Sequence, residues 1–179
     1  MESMRKHFDV ALPFDAFIDA AKANFLMWHA MRTRVRIPDE VVEAVEAVGG
    51  SWHLLVLAED WCGDAVTTLP VLAALAERAH NLDLRVLSRD SHPDLMHAHM
   101  TGPARSIPIV MVLDAGFVER GWWGPRPSEL QTWAMGPGRE LERDSRYRQM
   151  RGWYARNRGE STLAEVLSLL VRVARPEAA

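Results

Sequence analysis

Hydrophobic side chains in the first fifty positions recur at the spacing of helices. Between Phe14 and Trp28 they return every three or four residues, which predicts one amphipathic helix over about residues 13–34. Pro38-Asp39-Glu40 is typical of a second helix start, since proline fits the first turn and carboxylates favour the positive end of the helix dipole. We expect Gly49-Gly50 to end that helix.

The pattern then changes to short runs that are typical of strands. Residues 52–58 are almost all apolar, which predicts a strand covered on both faces. Residues 65–80 follow as an expected helix with a kink at Pro70, because proline removes a hydrogen-bond donor and clashes with the preceding turn. Residues 82–87 alternate apolar and polar side chains, as in a half-exposed strand, and residues 91–100 predict a short helix.

The remaining pattern predicts a hairpin and more helices. Residues 107–113 are expected as a second buried strand, residues 114–116 as a loop, and residues 117–123 as the returning strand. Helical spacing over about residues 128–151 is interrupted by glycines, and a last helix is expected over residues 161–173, capped by its first residue. This order predicts an α/β fold, with two parallel strands and an antiparallel hairpin in one small sheet.

Length and composition limit the classes of protein to which the chain can belong. A chain of 179 residues is the size of a single domain, and 48% hydrophobic with 25% charged residues is typical of a globular protein. The N-terminus carries charges too often for a signal peptide, and no apolar run reaches the roughly 18 residues of a membrane span. We therefore expect no membrane partner.

The charge of the chain restricts its partners further. A formal net charge of −3 argues against a general nucleic-acid binder, so no nucleic-acid partner is expected. Residues 139–158 nevertheless contain seven arginines against three acidic residues. Two interpretations of this stretch stay open: alternating charges on a solvated helix face, or a surface that attracts an anionic partner.

The cysteine and histidine content argues against metal sites. One cysteine excludes an intrachain disulfide and the cysteine-rich kinds of zinc site, and it indicates a reducing compartment such as the cytoplasm. His92, His97 and His99 surround the predicted short helix, but their spacing does not place them on one helix face. We expect a cytoplasmic protein with no metal and no cofactor.

The single cysteine, Cys62, has a position that favours chemistry. It follows a buried strand and begins a helix, so its sulfur can face unpaired backbone N–H groups and the positive end of the helix dipole. Glu59, Asp60 and Asp64 oppose its ionisation, because nearby like charges disfavour a thiolate. We expect a moderately activated thiol. The alternative is that Cys62 is a small, inert core residue.

Four motifs in the middle of the chain occur in an order that resembles one family. Residues 58–65 read Ala-Glu-Asp-Trp-Cys-Gly-Asp-Ala and resemble the active-site stretch of thioredoxins, in which Trp-Cys-Gly-x-Cys follows the central strand. Arg-Ser-Ile-Pro at residues 105–108 resembles the cis-proline segment of the family, and residues 114–123 resemble its hairpin. Together with Trp-Gly-Pro-Arg-Pro at residues 123–127, these motifs resemble a single-cysteine bacterial branch of the thioredoxin-like superfamily.

The resemblance covers about residues 50–130 and implies an α/β thioredoxin fold, a small mixed sheet of about four strands flanked by helices. Further helices are then added at both ends. The expected organisation is one domain over residues 1–179, with an N-terminal helical extension over 1–50, a thioredoxin-like core over 51–130 and C-terminal helices over 131–179.

Two positions depart from the thioredoxin pattern. Ala65 stands where the resolving cysteine belongs, and Val56 stands where thioredoxins often bury an acid that helps to deprotonate it. A dithiol reductase of the ordinary kind is therefore excluded. Two reactions stay open: Cys62 attacks a disulfide and an external thiol releases the product, or Cys62 is oxidised to a sulfenic acid that condenses with such a thiol.

The resemblance also assigns residues to the site. It implies that Cys62 and Pro108 are the catalytic residues, and that the backbone of Ile107 pairs with an extended substrate. The implied substrate-binding residues are Trp61, Gly63, Asp64 and Ile107. Two roles stay open for Asp64, which can hold the start of the helix or accept a proton from the leaving thiol.

Two functions follow from this site. The leading hypothesis is thiol–disulfide exchange at Cys62, with a protein disulfide or a low-molecular-weight thiol as the partner. The alternative is a non-catalytic peptide-binding or scaffolding module, in which the groove at Ile107-Pro108 captures extended peptides without chemistry. The reactivity of Cys62 separates the two hypotheses.

Overall fold

The computed structural model of the chain describes residues 3–175, so the outermost positions of the two predicted extensions lie outside the described residues. The α-helices are α1 (Arg5–Val10), α2 (Phe14–Asp19), α3 (Phe25–Arg34), α4 (Asp39–Ala47), α5 (Gly63–Arg78), α6 (Pro93–Ala98), α7 (Ser128–Met135), α8 (Arg143–Asn157) and α9 (Glu160–Ala174). The strands are β1 (Leu12–Pro13), β2 (Trp52–Ala58), β3 (Leu82–Ser88), β4 (Ile109–Leu113) and β5 (Glu119–Trp123), and a short 3-10 helix spans Pro137–Glu140. None of these helices is long and apolar enough to cross a membrane.

One mixed sheet forms the centre of the fold. Its strand order is β1-β3-β2-β4-β5, with β2 and β3 parallel and every other neighbouring pair antiparallel. The strand predicted from the unbroken apolar run, β2, lies in the middle, and its residues 54–58 are completely buried. β4 and β5 each begin two residues later than expected. The expected α/β architecture, a small mixed sheet flanked by helices, is confirmed.

One edge of the sheet is a strand that the sequence pattern did not indicate. β1 is only two residues long and pairs antiparallel with β3, where Leu12 is the partner of Val86. A two-residue strand that contains Pro13 lacks the alternation on which strand prediction depends. The N-terminal extension therefore contributes a fifth strand to the sheet.

The prediction of one continuous helix over residues 13–34 is wrong. The chain forms α2 and α3 instead, separated by a turn in which Asn24 has a φ of 56°. The carboxylate of Asp60 accepts hydrogen bonds from the backbone N–H groups of Lys22 at 2.7 Å and Ala23 at 2.9 Å. These bonds satisfy donors that a continuous helix would use internally, so a residue distant in sequence interrupts the local pattern.

The C-terminal helices are interrupted where the sequence predicted, but the last helix does not begin at the predicted cap, Ser161. The 3-10 helix separates α7 from α8 at the glycines, as expected. α9 begins at Glu160, after Gly159, whose φ of 89° and whose Cβ position 2.7 Å from Val71 require glycine. Ser161 therefore lies inside the helix and does not cap it; its hydroxyl accepts a hydrogen bond from the side-chain amide of Asn157 at 2.7 Å.

Helix α5, whose first turn follows Cys62, is held on several sides. It continues through Pro70 and contacts α3, α9 and β3. Trp28 of α3 is completely buried in the main core. A second, smaller core joins α7 to α8 and consists of Leu130, Met150 and Tyr154. This second core fixes α8 against α7.

Candidate functional site

The loop after β2 places Cys62 immediately before the first turn of α5. Its backbone is extended, with φ −80° and ψ 114°, and Gly63 begins the helix. The backbone N–H groups of Asp64 and Ala65, in the first turn, act to lower the pKa of the thiol. Cys62 is only 7% exposed, so the sulfur faces the helix start as expected but is largely shielded from water.

Two acidic residues at the end of β2 stabilise the loop rather than act on the thiol. The backbone carbonyl of Asp60 accepts hydrogen bonds from the indole N–H of Trp28 at 3.0 Å and the side-chain amide of Asn24 at 3.1 Å. The carboxylate of Glu59 accepts one from the hydroxyl of Ser88 at 2.8 Å. Neither Glu59 nor Asp60 is among the main causes that shift the pKa of the Cys62 thiol, of which burial is the largest.

The segment that contains Pro108 lies beside the sulfur. The Ile107–Pro108 peptide bond is cis. The thiol of Cys62 donates a hydrogen bond to the carbonyl oxygen of Ile107, with 3.4 Å between sulfur and oxygen. The fold therefore brings Cys62, Ile107 and Pro108 together, although 45 positions separate Cys62 from Ile107.

A second cis peptide bond, Gly124–Pro125, lies against this segment. Gly124 has a φ of 132°, and a Cβ at this position would lie 2.2 Å from the carbonyl oxygen of Pro108. Only glycine tolerates both the backbone angle and the close approach. The Trp-Gly-Pro-Arg-Pro motif thus packs the turn after β5 onto Pro108 and brings Arg126 to the first turn of α5.

Asp64 is buried, 8% exposed, and its carboxylate binds two residues that are distant in sequence. Nη2 of Arg126 lies 2.8 Å from Oδ2, and the phenol of Tyr154 donates to Oδ1 at 2.8 Å. Burial raises the pKa of Asp64, while the charge of Arg126, the hydrogen bonds from Tyr154 and Arg126, and the charge of Arg146 act to lower it. Asp64 therefore connects α5 to the turn after β5 and to α8.

The sequence analysis missed these partners of Asp64. The sequence did draw attention to Arg126, since it lies in the motif at residues 123–127. Its contact with α5, however, depends on the packing of two loops. Tyr154 had no signal that pointed to the site, because it lies in the arginine-rich stretch that two interpretations left open. The structure shows that one face of α8 is turned towards the start of α5.

Burial dominates the chemistry of the thiol. It raises the pKa of Cys62 to about 11, with a further increase from the charge of Asp64. The N–H groups of Ala65 and Asp64 and the charge of Arg126 lower the pKa but do not offset burial. The expectation of a moderately activated thiol is therefore wrong for this arrangement, because the effect of the helix start is smaller than that of desolvation. The neutral thiol therefore dominates at pH 7.

Comparison with known proteins decides the family. A family model described as thioredoxin matches residues 11–148 of the chain. The chain belongs to the thioredoxin-like family. The thioredoxin fold expected from its motifs is thereby confirmed, together with the added helices. No curated protein matches the sequence of this thioredoxin-like chain.

Two solved structures have the same fold as this thioredoxin-like chain. The chain is similar to a protein of unknown function from Pseudomonas aeruginosa, PA1234, with 23% identity and a TM-score of 0.76, over 95% of this chain and 98% of that one. It is also similar to an HIV epitope-scaffold, with 20% identity and a TM-score of 0.72, over 94% of this chain and 98% of that one. At these identities the likeness shows the fold alone.

Trp61 is an exposed tryptophan beside the thioredoxin-like site, whereas Trp122 is partly buried and Trp123 is buried. Trp61 is 51% exposed, and the guanidinium of Arg89 lies 5.0 Å from the centre of its ring. Trp122 and Trp123 belong to β5, and the buried Trp123 donates its indole N–H to Glu165 at 2.7 Å. Trp61 therefore forms an exposed apolar surface next to the buried sulfur.

Among the histidines of the thioredoxin-like chain, His99 connects two elements of the fold. Within residues 3–175, no group of three His, Cys, Asp or Glu side chains is placed to hold a metal ion. His99 is buried, with Nδ1 2.6 Å from the carbonyl oxygen of Leu95 and Nε2 2.8 Å from the carboxylate of Glu119. This pair ties α6 to β5.

Proposed function

We propose that this thioredoxin-like chain is a monothiol redox protein, in which Cys62 exchanges with a disulfide and an external thiol releases the product. One observation carries the proposal: the sulfur of Cys62 lies at the start of α5, 3.4 Å from the carbonyl oxygen of Ile107 in a cis-proline segment. Ala65 supplies no second thiol, so the resolving thiol has to come from another molecule.

The exchange conserves electrons in both steps. The Cys62 thiolate attacks one sulfur of a disulfide and forms a mixed disulfide, while the other sulfur leaves as a thiolate and takes up a proton. An external thiolate then attacks the substrate sulfur of the mixed disulfide, and Cys62 leaves as a thiolate. The net result is a new disulfide between the substrate and the external thiol.

Substrate docking supplies an activation that the substrate-free site lacks. The hydrogen bond from the Cys62 thiol to Ile107 stabilises the neutral form of the sulfur. An extended substrate whose backbone N–H pairs with the carbonyl of Ile107 takes that acceptor away. The backbone N–H groups of Asp64 and Ala65, which lower the pKa of the thiol, still favour the thiolate. Reactivity is therefore expected to depend on docking.

A second candidate function has its own supporting observation. Cys62 is almost completely buried and its pKa is raised to about 11, as in an inert core thiol. A non-catalytic peptide-binding or scaffolding module would use the same segment at Ile107-Pro108 and would need no reactive sulfur. The exposed ring of Trp61 would serve such a module equally well.

Covalent capture separates the two functions. The probe is an extended peptide whose cysteine forms a disulfide with a small thiol, and adducts on the protein are measured by intact mass at pH 7. Exchange predicts a mixed disulfide on the wild type, none on Cys62→Ser, and release by added thiol. Hydroxyethyl disulfide, which lacks the extended segment and carries no charge, is the control and should react more slowly. Peptide binding to both proteins without any adduct would support the scaffold and overturn the exchange.

The same features support a location and a subfamily. We propose that the exchange takes place in the cytoplasm, because a single cysteine suits a compartment that supplies external thiols. The sequence Trp61-Cys62-Gly63-Asp64 followed by Ala65 supports a place in a single-cysteine branch of the family.

A further inference from the structure

We infer that Arg126 and Arg146 form a binding site for an anionic group of the substrate, so that the small thiol partner of Cys62 carries a carboxylate. This site rests on the proposed exchange at Cys62 and adds the chemical class of its partner. The site is indicated by the Nε–H groups of Arg126 and Arg146, which are buried without a hydrogen-bond partner within residues 3–175.

Arg126 is anchored at the site with one donor unused. Its Nη2 binds the carboxylate of Asp64 at 2.8 Å, and its Nη1 donates to the side-chain oxygen of Gln131 at 2.8 Å. Its Nε is buried and has no hydrogen-bond partner among the described residues. A buried donor without an acceptor costs free energy, so an acceptor supplied by a ligand is bound favourably there.

Arg146 of α8 adds a second positive charge to the cluster. Its Nε is also buried without a partner within residues 3–175, and its guanidinium forms no ion pair with a carboxylate in that range. Its charge nevertheless acts on Asp64, as that of Arg126 does. The charges of two arginines therefore act on one carboxylate, which leaves an excess of positive charge that a second anion can balance.

The packing of α8 keeps this cluster beside the thiol. Tyr154 lies about two helical turns after Arg146 and donates to Asp64 at 2.8 Å. Asp64 lies in the first turn of α5, directly after Cys62 and Gly63. The charge of Arg126 acts on the thiol itself. An anion held by the two arginines is therefore close to the sulfur that forms the mixed disulfide.

The chemistry of the cluster selects a carboxylate on a small molecule. Guanidinium groups donate paired hydrogen bonds to carboxylates, which makes arginine well suited to planar anions. Cys62 is 7% exposed and the side chain of Arg126 is 15% exposed, so the cluster admits a small group more readily than a protein surface. A low-molecular-weight disulfide with a carboxylate near its sulfur is both anionic and small enough for this cluster.

Three small symmetrical disulfides test the charge preference directly. Dithiodipropionate is anionic, hydroxyethyl disulfide is neutral and cystamine is cationic, and each presents an unhindered disulfide to Cys62. The rate of adduct formation on Cys62 is followed by intact mass at pH 7. We expect the anionic disulfide to react about tenfold faster than the neutral one, with cystamine the slowest.

Arg146→Gln is the deciding variant, since Arg146 has no ion pair within the described part of the chain whose loss would destabilise the fold. It should lower the rate with dithiodipropionate about tenfold more than the rate with hydroxyethyl disulfide. Arg151→Gln is the matched control, because Arg151 is exposed on the same helix and should change neither rate. Thermal melting verifies that both variants fold.

The outcomes distinguish this site from the proposed exchange. Equal wild-type rates for the three disulfides, or an equal loss of every rate in Arg146→Gln, would overturn the carboxylate site and leave the exchange intact. If no disulfide forms an adduct, the exchange fails, and calorimetry of dithiodipropionate on Cys62→Ser tests the site alone. Binding that Arg146→Gln weakens in that background supports the site, and absence of binding overturns it.

Discussion

The phenol of Tyr154 donates a hydrogen bond to the buried carboxylate of Asp64 at 2.8 Å, across 90 positions of the chain. Arg126 binds the other carboxylate oxygen at 2.8 Å. Asp64 lies in the first turn of the helix that follows Cys62, so these bonds join α8 and the turn after β5 to the thiol site. The site therefore depends on a C-terminal helix outside the range that the thioredoxin resemblance covers.

We expect Tyr154→Phe to lower the free energy of unfolding by about 1.5–3 kcal/mol, because it leaves a buried carboxylate with one partner fewer. Urea unfolding followed by tryptophan fluorescence measures the change. Tyr147→Phe is the matched control, since Tyr147 lies on the same helix and is 42% exposed. The control should change stability by less than about 0.5 kcal/mol. Equal values for the two variants would contradict a stabilising role of the bond to Asp64.

The raised pKa of Cys62 predicts slow alkylation of the folded protein at neutral pH. Only the thiolate reacts, so the rate with iodoacetamide should rise about tenfold per pH unit up to about pH 10. Peptide mass mapping measures alkylation of Cys62, the one cysteine of the chain, separately from alkylation of amines at high pH. The urea-unfolded chain is the control and should level off around its ordinary pKa of about 8.5. A plateau below pH 9 for the folded protein would contradict a thiol whose pKa is set by burial.

Strands β2 to β5 could be predicted because their signals are local. The apolar run of β2 and the turn at Asp114 each lie within a few residues, and β4 and β5 pair across that turn. The break between α2 and α3 could not be predicted, since its acceptor, Asp60, lies 37 positions after Ala23. The division into a core and two extensions stays a prediction, although β1 shows that the N-terminal extension takes part in the sheet.

The candidate site could be predicted only in part. The proximity of Cys62 and Ile107 followed from the family resemblance, because no local spacing connects residues 45 positions apart. Arg126 and Tyr154 reach Asp64 only after the chain has folded. The thiol pKa was misjudged for the same physical reason: it depends on how completely distant parts of the chain exclude water from the sulfur.

Gly124→Ala should destabilise the segment at Pro108. The added Cβ would lie 2.2 Å from the carbonyl oxygen of Pro108, and the φ of 132° is rarely adopted by other residues. We expect a loss of about 2 kcal/mol or more in the free energy of unfolding, measured in urea. Gly63→Ala is the matched control, because its Cβ would have no atom within 4 Å. Two equally stable variants would show that the contact at Pro108 is not restrictive.

The pair formed by His99 and Glu119 links stability to pH. Burial acts to lower the pKa of His99, but the hydrogen bonds to Glu119 and to the carbonyl of Leu95, with the charge of Glu119, outweigh burial and raise it. Protonation is thus more favourable in the folded chain than in the unfolded one. The resulting stabilisation is fully present below the ordinary histidine pKa of about 6.5 and is lost as pH rises through the folded pKa.

His99→Gln should therefore lower the free energy of unfolding more at about pH 5.5 than at about pH 8.5, since only the protonated imidazole donates to both acceptors. Urea unfolding at the two pH values measures the difference. His97→Gln is the matched control, because His97 is exposed on the same helix and should show no such dependence. A loss in His99→Gln that is the same at both pH values would mean that the imidazole is held neutral between Leu95 and Glu119.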